Sequence, residues 1–430
     1  MKMFDRREFL GASLGGLAAL SAGSRLPGRD ARRDASALDT LFLTWRRDPT
    51  TTMVVQWIGP PASPEDSTIH FSIADAQRGD KKDPGGQGIV QSVPTKRHPY
   101  PMTDLHVFRA ELGGLSPGTE YQFQIGKNAM TRRFRTMPAK ATDSFQFVSG
   151  GDCDTNPHAI ANNILAAKQD PMFAVIGGDL GYDDGKKVEQ SLGFVRNYSR
   201  HMIDTQGRLI PMVVCLGNHE VNGGYGKSRN DAPFFFALHD GLYAERSYAT
   251  LDFGDYLSLV LLDSGHCAAI DGEQTAWLDK VLTERAERPH LFAVNHVPSY
   301  PSHRKPEGIL GKAGTGELSR KHWVPLFERH NVDAVFEHHD HTFKRTHPLK
   351  DGMKSANGIV YLGDGSWGKL RAPQAPENHP YLATADEAYH LSLHRLEGEK
   401  CHHVAMKEGG QVIDTILTTS KRPLRSVGRS

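Results

Sequence analysis

Five apolar runs in this chain end in side chains that can donate oxygen or nitrogen to a ligand. Phe145–Ser149 leads to Gly150-Gly151-Asp152-Cys153-Asp154, and Phe173–Ile176 leads to Gly177-Gly178-Asp179-Leu180-Gly181-Tyr182. Pro211–Leu216 is followed by Gly217-Asn218-His219-Glu220, Leu291–Val294 by Asn295-His296, and Val332–Phe336 by Glu337-His338-His339-Asp340-His341. One such ending means little, because Asp and Asn commonly close strands in turns and most His-rich tracts simply face water. Five in succession, all drawn from Asp, Asn and His, are hard to ascribe to turn chemistry. Three pass through glycine, which lets a backbone turn sharply and approach a ligand closely. Mixed oxygen and nitrogen donors suit iron, manganese or zinc rather than a thiolate-rich structural site. Six or seven donors exceed the needs of one tetrahedral ion, and two ions sharing a carboxylate fit better.

These donors need strands to carry them. From Phe145 onward, solid apolar runs alternate with polar, helix-compatible stretches, the pattern of strands buried on both faces in an α/β layered fold. Helices are expected at Ala159–Gln169, Lys187–Met202, Gln274–Arg285 and Ser319–His330. Ligands in such folds bind beyond the carboxyl ends of the strands, so Asp152, Asp179, Asn218, His296, His339 and His341 are expected in one cleft. Before this region, residues 38–140 read as short alternating strands ("LFLTW", "TTMVVQWIG", "TIHFSIA", "LHVFRAEL", "EYQFQIG") separated by turn residues, an all-β sandwich. No cluster of catalytic residue types falls there, and a structural or adhesive module is the favoured reading. The catalytic domain is expected over residues 141–420, followed by a basic tail at 421–430.

The composition sets outer bounds. A chain of 430 residues with net charge +1 and 38% hydrophobic content reads as globular and multidomain. That charge excludes bulk nucleic-acid binding as the main role. Residues 1–37 read as an export leader and linker. Arg6-Arg7-Glu8-Phe9-Leu10 precedes a Gly/Ala/Ser/Leu stretch and looks like a twin-arginine signal, which implies the twin-arginine translocase as a partner and a periplasmic or extracellular destination. Cys153, Cys215, Cys267 and Cys401 are too widely separated for their pairing to be read.

Taken together, Gly151-Asp152, Gly178-Asp179-x-x-Tyr182, Gly217-Asn218-His219-Glu220, Ala293-x-x-His296 and His339-x-His341 resemble the calcineurin-like metallophosphoesterases. Tyr182, the preceding sandwich and the Gln274-x-x-Trp277-Leu278 segment make the resemblance one to purple acid phosphatases. The segment Leu115–Tyr121 resembles the turn of fibronectin type III domains in which a tyrosine packs at a corner. The resemblance implies a four-layer α/β domain, a mixed β-sandwich flanked by helices. It also implies a first metal on Asp152, Asp179, Tyr182 and His341, and a second on Asp179, Asn218, His296 and His339. The ions would be Fe(III) plus Fe(II), Zn(II) or Mn(II). The implied activity is hydrolysis of the phosphate monoester of a small molecule by direct attack of metal-bound hydroxide on phosphorus. His219 would bind the phosphate or act as general acid. His303, with Arg304, stands nearest to the further substrate-binding histidines of the plant enzymes, and a surface loop is the competing reading.

Two positions depart from the family's usual glycines, His338 and Asp154; either could crowd the cleft, add a ligand or alter substrate preference. Asp183 and Asp184 read as a solvated turn, with electrostatic tuning of the metal site as the alternative, Glu220 as a hydrogen-bond partner of His219 or of a ligand, and Cys153 as a packed side chain. His402 and His403, adjacent on a strand, point to opposite faces. The same metals could instead cleave phosphodiesters or nucleotide pyrophosphates. The third alternative is a catalytically inactive cell-surface binding protein.

Overall fold

A computed structural model describes residues 38–74, 90–126, 130–140, 144–307 and 315–422. The twin-arginine leader and most of the basic tail lie outside the described residues. No helix among the described residues is long and apolar enough to cross a membrane.

The first region is two antiparallel four-stranded sheets. One runs Phe42–Thr44, Met53–Gly59, His106–Leu112, Lys96–Pro99. The other runs Gln91–Val93, Ile69–Ile73, Glu120–Ile125, Arg132–Arg135. The alternation along His106–Leu112 and Glu120–Ile125 sends every second residue inward, where Phe108 stacks on Trp57 at 5.1 Å and Tyr121 on Phe134 at 5.5 Å. At the turn before the third of these strands, Tyr121 Oη accepts the Ser116 N–H at 2.8 Å.

The second region packs two larger sheets face to face. A six-stranded sheet runs Met212–Val214, Ala174–Ile176, Phe145–Gly150, then antiparallel through His390–Glu397, Lys400–Lys407 and Val412–Thr419. A seven-stranded sheet holds Leu257–Leu262, His290–Asn295, Ala334–Glu337 and Val360–Asp364 in parallel, with antiparallel strands at both edges. Phe147 of the first sheet meets Phe292 and Phe336 of the second at 6.2 Å each. On the opposite face of the second sheet, Val260, Leu262, Leu291, Ala293 and Val335 pack with Leu278, Leu282, Trp323 and Phe327 from the helices. Each parallel strand is therefore buried on both sides, which explains its unbroken apolar run.

Helices occur at Pro157–Ala167, Val188–His201 and Glu273–Glu284, close to expectation. The expected helix over 319–330 is two pieces, Glu317–His322 and Val324–Arg329. Pro325 has no N–H to continue the ladder, so the chain restarts there. A helix at Pro233–His239 was not anticipated. It seats the sandwich: Gln56 Nε2 donates to Leu238 O at 2.8 Å, and Arg109 pairs with Asp240, just past the helix, at 2.5 Å. The residues from Leu38 onward form one compact unit.

All four cysteines are free. His403 turns inward to His394 Nδ1 at 2.7 Å, while His402 faces outward beside Glu397, as the alternation predicts.

Candidate metal centre

Parallel pairing sets the site's geometry. Ile176 is opposite both Gly150 and Val214, so the loops after these three strands emerge side by side. In the other sheet Asn295 is opposite Glu337, which brings the His296 and His338–His341 turns together. Backbone bonds then lock the loops to one another: Asp152 N–H donates to Gly178 O at 3.0 Å, Cys153 N–H to Asp179 O at 2.9 Å, and His338 N–H to His296 O at 2.9 Å.

Two overlapping donor sets result. Asp179, His296 and His339 offer atoms lying within 4.8 Å of one another, and so do Asp152, Asp179 and His341. Asp179 belongs to both. Tyr182 Oη joins the second of these sets, donating to Asp152 Oδ1 at 3.3 Å and lying 3.1 Å from His341 Nε2. Asn218 Oδ1 joins the first, 3.1 Å from His296 Nε2, which is itself 3.1 Å from His339 Nδ1. All seven residues anticipated as ligands are thus in one place. His303 is not among them: its Nδ1 lies 2.7 Å from Ala372 O, and its backbone N–H donates to Asp340 Oδ2 at 2.8 Å.

The donor chemistry fits cations. Asp179 is fully buried, and among the described residues no hydrogen bond reaches its Oδ2, although His296 Nε2 lies 3.3 Å away. An unpaired buried carboxylate oxygen is costly unless something positive occupies the adjacent space. Burial pushes the Asp179 carboxyl up, yet His296, His219 and His339 outweigh it and hold it well below the usual range. Burial pulls His296 down, and Asp179 with Asp152 overcomes that to raise it to about 9. The pocket thus already holds positive charge against Asp179, charge that cations would replace. Burial, then Asp152 and Asp179, push the Tyr182 phenol well above its ordinary value, so ionising it requires a nearby cation.

Strained backbone presents these groups. Asp152, Asp179, Tyr182, His339 and His341 have φ of 58°, 54°, 59°, 70° and 61°, a conformation uncommon for residues other than glycine. Glu220 helps hold it: its carboxylate accepts the N–H of Asp179 and of Gly217 at 2.8 Å each and of Leu180 at 2.6 Å. Of its two expected partners, the ligand Asp179 is met through its backbone N–H, and His219 is not. Asp152 Oδ2 similarly accepts the His339 N–H at 2.8 Å, linking the two sheets.

The remaining residues of the fifth tract have structural partners. Glu337 is buried and paired with Lys344, and its Oε1 accepts the Ser299 N–H at 2.6 Å; it braces the loop after His296. His338 turns beneath the cleft, where a Cβ on Gly177 would come within 1.9 Å of its ring. The glycine there is what makes room for the imidazole, so His338 neither crowds the cleft nor joins a donor set. Asp154 caps its own loop through the Thr155 N–H at 2.6 Å and pairs with Lys369 Nζ at 2.6 Å. Lys369 in turn sits over the Tyr182 ring, 4.4 Å from its centroid.

Asp183 and Asp184 are not a solvated turn. Asp183 is buried and accepts the Gly185 N–H at 2.7 Å, and burial raises its carboxyl to about 7. Asp184 Oδ1 lies 2.6 Å from His219 Nδ1, and its other oxygen pairs with Lys187. Burial pushes Asp184 up, but Lys187 and His219 bring it below its ordinary value. With Nδ1 so engaged and the ring lying 4.3 Å from that of Tyr182, His219 keeps Nε2 for the cleft. The spacing of two residues from Tyr182 was the available signal for Asp184, but nothing local pointed to His219.

Comparison with known proteins places this geometry. Residues 38–145 match the purple acid phosphatase N-terminal domain and residues 102–343 the calcineurin-like phosphoesterase domain. Purple acid phosphatase 21 of Arabidopsis thaliana is 25% identical over 285 residues, 63% of this chain and 62% of the plant protein. Acid phosphatase type 7 of Mus musculus is 24% identical over 352 residues, covering 74% of this chain and 78% of the mouse protein. Among solved structures, the purple acid phosphatase PPD1 of yellow lupin superposes with a TM-score of 0.73 at 16% identity, over 90% of this chain and 74% of the lupin chain. PhoD superposes with a TM-score of 0.62 at 11% identity, over 92% of this chain and 93% of its own. These two likenesses are of fold.

Proposed function

We propose, from the premise that the chain belongs to the calcineurin-like phosphoesterases and carries the N-terminal domain of the purple acid phosphatases, that it hydrolyses phosphate monoesters of small molecules at a two-cation centre. The observation that carries this reading is Asp179, buried, shared by two donor sets and left with an oxygen that no hydrogen bond satisfies. Asp152, Tyr182 and His341 with Asp179 would hold the first cation. Asn218, His296 and His339 with Asp179 would hold the second. A phenolate and two carboxylates favour Fe(III) at the first position; an amide and two imidazoles suit Fe(II), Zn(II) or Mn(II) at the second. Bound there, the pair would neutralise phosphoryl charge and lower the pKa of water at the point of attack.

The chain's own residues supply the rest. His219, held at Nδ1 by Asp184, directs Nε2 to the ester and donates a proton to the leaving oxygen as the P–O bond breaks. Lys187 keeps Asp184 anionic and so keeps the imidazole oriented. Water attacks phosphorus directly, without a covalent phosphoenzyme. The complete donor set argues against an inactive binding protein, since seven such residues converge, five of them in strained backbone. Export through the twin-arginine route would deliver the folded, metal-loaded chain to the periplasm or beyond. Replacing Arg6 and Arg7 by lysine should retain it in the cytoplasm.

Metal analysis together with a visible spectrum tests the reading. Two ions per chain and a violet or pink colour that Tyr182→Phe abolishes are expected, because tyrosinate bound to Fe(III) absorbs visible light. A protein that takes up no metal would refute it. Faster turnover of a bis-aryl phosphate than of an aryl phosphate would move the assignment to diesters.

A further inference from the structure

The two histidines of the first donor set, His296 and His339, are not held alike. His296 Nδ1 is engaged by a backbone carbonyl, Gly177 O, at 2.9 Å. His339 is engaged by a side chain. Its Nδ1 faces His296 Nε2 at 3.1 Å, and its Nε2 lies 3.3 Å from Tyr225 Oη. An imidazole that binds a cation through Nδ1 must carry its proton on Nε2, and that N–H needs an acceptor.

Tyr225 is presented for this purpose by a glycine-laced loop. Gly223, Gly224 and Gly226 have φ of 93°, 76° and 62°, a backbone that other residues rarely adopt. The loop is clasped to a second one: Gly226 N–H donates to Gly265 O at 3.0 Å, Lys227 N–H to His266 O at 2.8 Å, and His266 Nδ1 lies 3.0 Å from Gly224 O. The buried His266 ring packs against Tyr225 with centroids 4.9 Å apart. Asp263 fixes that second loop by accepting the N–H groups of His266, Cys267 and Ala268 at 2.6, 2.9 and 2.8 Å. The phenol is thereby held from below, and its hydroxyl lies 3.5 Å from Asn218 Oδ1 as well. Both of these partners belong to the set assigned to the second cation.

We infer that Tyr225 is the positioning residue of the second site: its oxygen takes the His339 Nε2–H, fixing the tautomer and aiming Nδ1 at the cation, while its proton is directed to Asn218. The inference rests on the two-cation reading above. It makes the second site adjustable by one side chain, whereas His296 is held by a main-chain group that substitution cannot remove.

The test uses the full chain, stripped of metal by a chelator and titrated in buffered Zn(II), with bound zinc counted. Wild type should bind two ions. Tyr225→Phe should bind the first with unchanged affinity and the second about 10- to 100-fold more weakly, and its turnover should recover at saturating zinc. Two unchanged affinities in this variant would overturn the role of Tyr225 and leave the function intact. Wild type holding fewer than two ions would overturn both. Should the variant fail to fold, NMR of the zinc-loaded wild-type protein decides: a His339 Nε2–H protected from exchange with solvent supports the inference, and one that exchanges freely refutes it.

Discussion

Among the described residues of the sandwich, Met102 alone of the non-glycine residues has a positive φ, whereas in the other half Asp152, Asp154, Asp179, Tyr182, Asp184, His339 and His341 all do. The two halves also differ in what they bury: in the sandwich Gln56 bonds Leu238 O and Thr40 bonds Ile58 O, whereas the cleft buries carboxylates and imidazoles side by side. Backbone strain lowers stability, so its concentration at one cleft shows where the fold gives up stability for chemistry. In the sandwich, the core strands follow the alternation of their sequence.

Substitution should separate the two halves. Asp179→Asn, which tolerates the same backbone, is expected to cut kcat by about a thousandfold or more while the metal-free chain still folds. A metal-free variant that does not fold would contradict the contrast. Phe123→Ala should do the reverse. Its ring is buried against Phe134, and its loss should cost about 3–5 kcal/mol of stability, with kcat per folded molecule preserved. Lower turnover in the folded fraction would show that the sandwich reaches the chemistry.

Asp184→Asn sharpens the comparison within the cleft. It keeps the volume but weakens the hold on His219, and kcat should fall by about tenfold, most for esters with poor leaving groups. An equal loss for good and poor leaving groups would assign His219 to phosphate binding alone. The smallest effect is expected at the junction of the halves. His239 is buried beside Phe42 and Phe235, and burial, with Arg109 adding to it, lowers its imidazole from 6.5 to about 3. The unfolded chain therefore takes up this proton first. The site's contribution to stability is full above pH 6.5 and is lost as pH falls from there toward 3. His239→Phe should flatten the fall in stability over that interval, measured by denaturant unfolding at each pH.

The donors were readable in the linear chain because each sits directly after a run apolar enough to be a doubly buried strand, and residue type states which ions it can hold. The alternating strands and three of the helices were readable for the same reason, since periodicity records burial. The strands Gln91–Val93 and Lys96–Pro99 were not readable: they are largely exposed and polar, so no apolar pattern marks them. Nor was helix Pro233–His239, whose Phe234-Phe235-Phe236 run has no polar face, because it is buried between the sandwich and the larger sheets.

Residue chemistry thus sufficed to say that oxygen and nitrogen donors gather at strand ends, and to say which ones. Which neighbour each acquires was settled by the packing of distant segments. Asp184 meets His219, Glu220 meets loop amides, His338 enters a space left by glycine, and Tyr225 reaches His339. Hydrogen bonds act over about 3 Å, and only the folded backbone brings groups more than a hundred residues apart, as Tyr225 and His339 are, to within that distance.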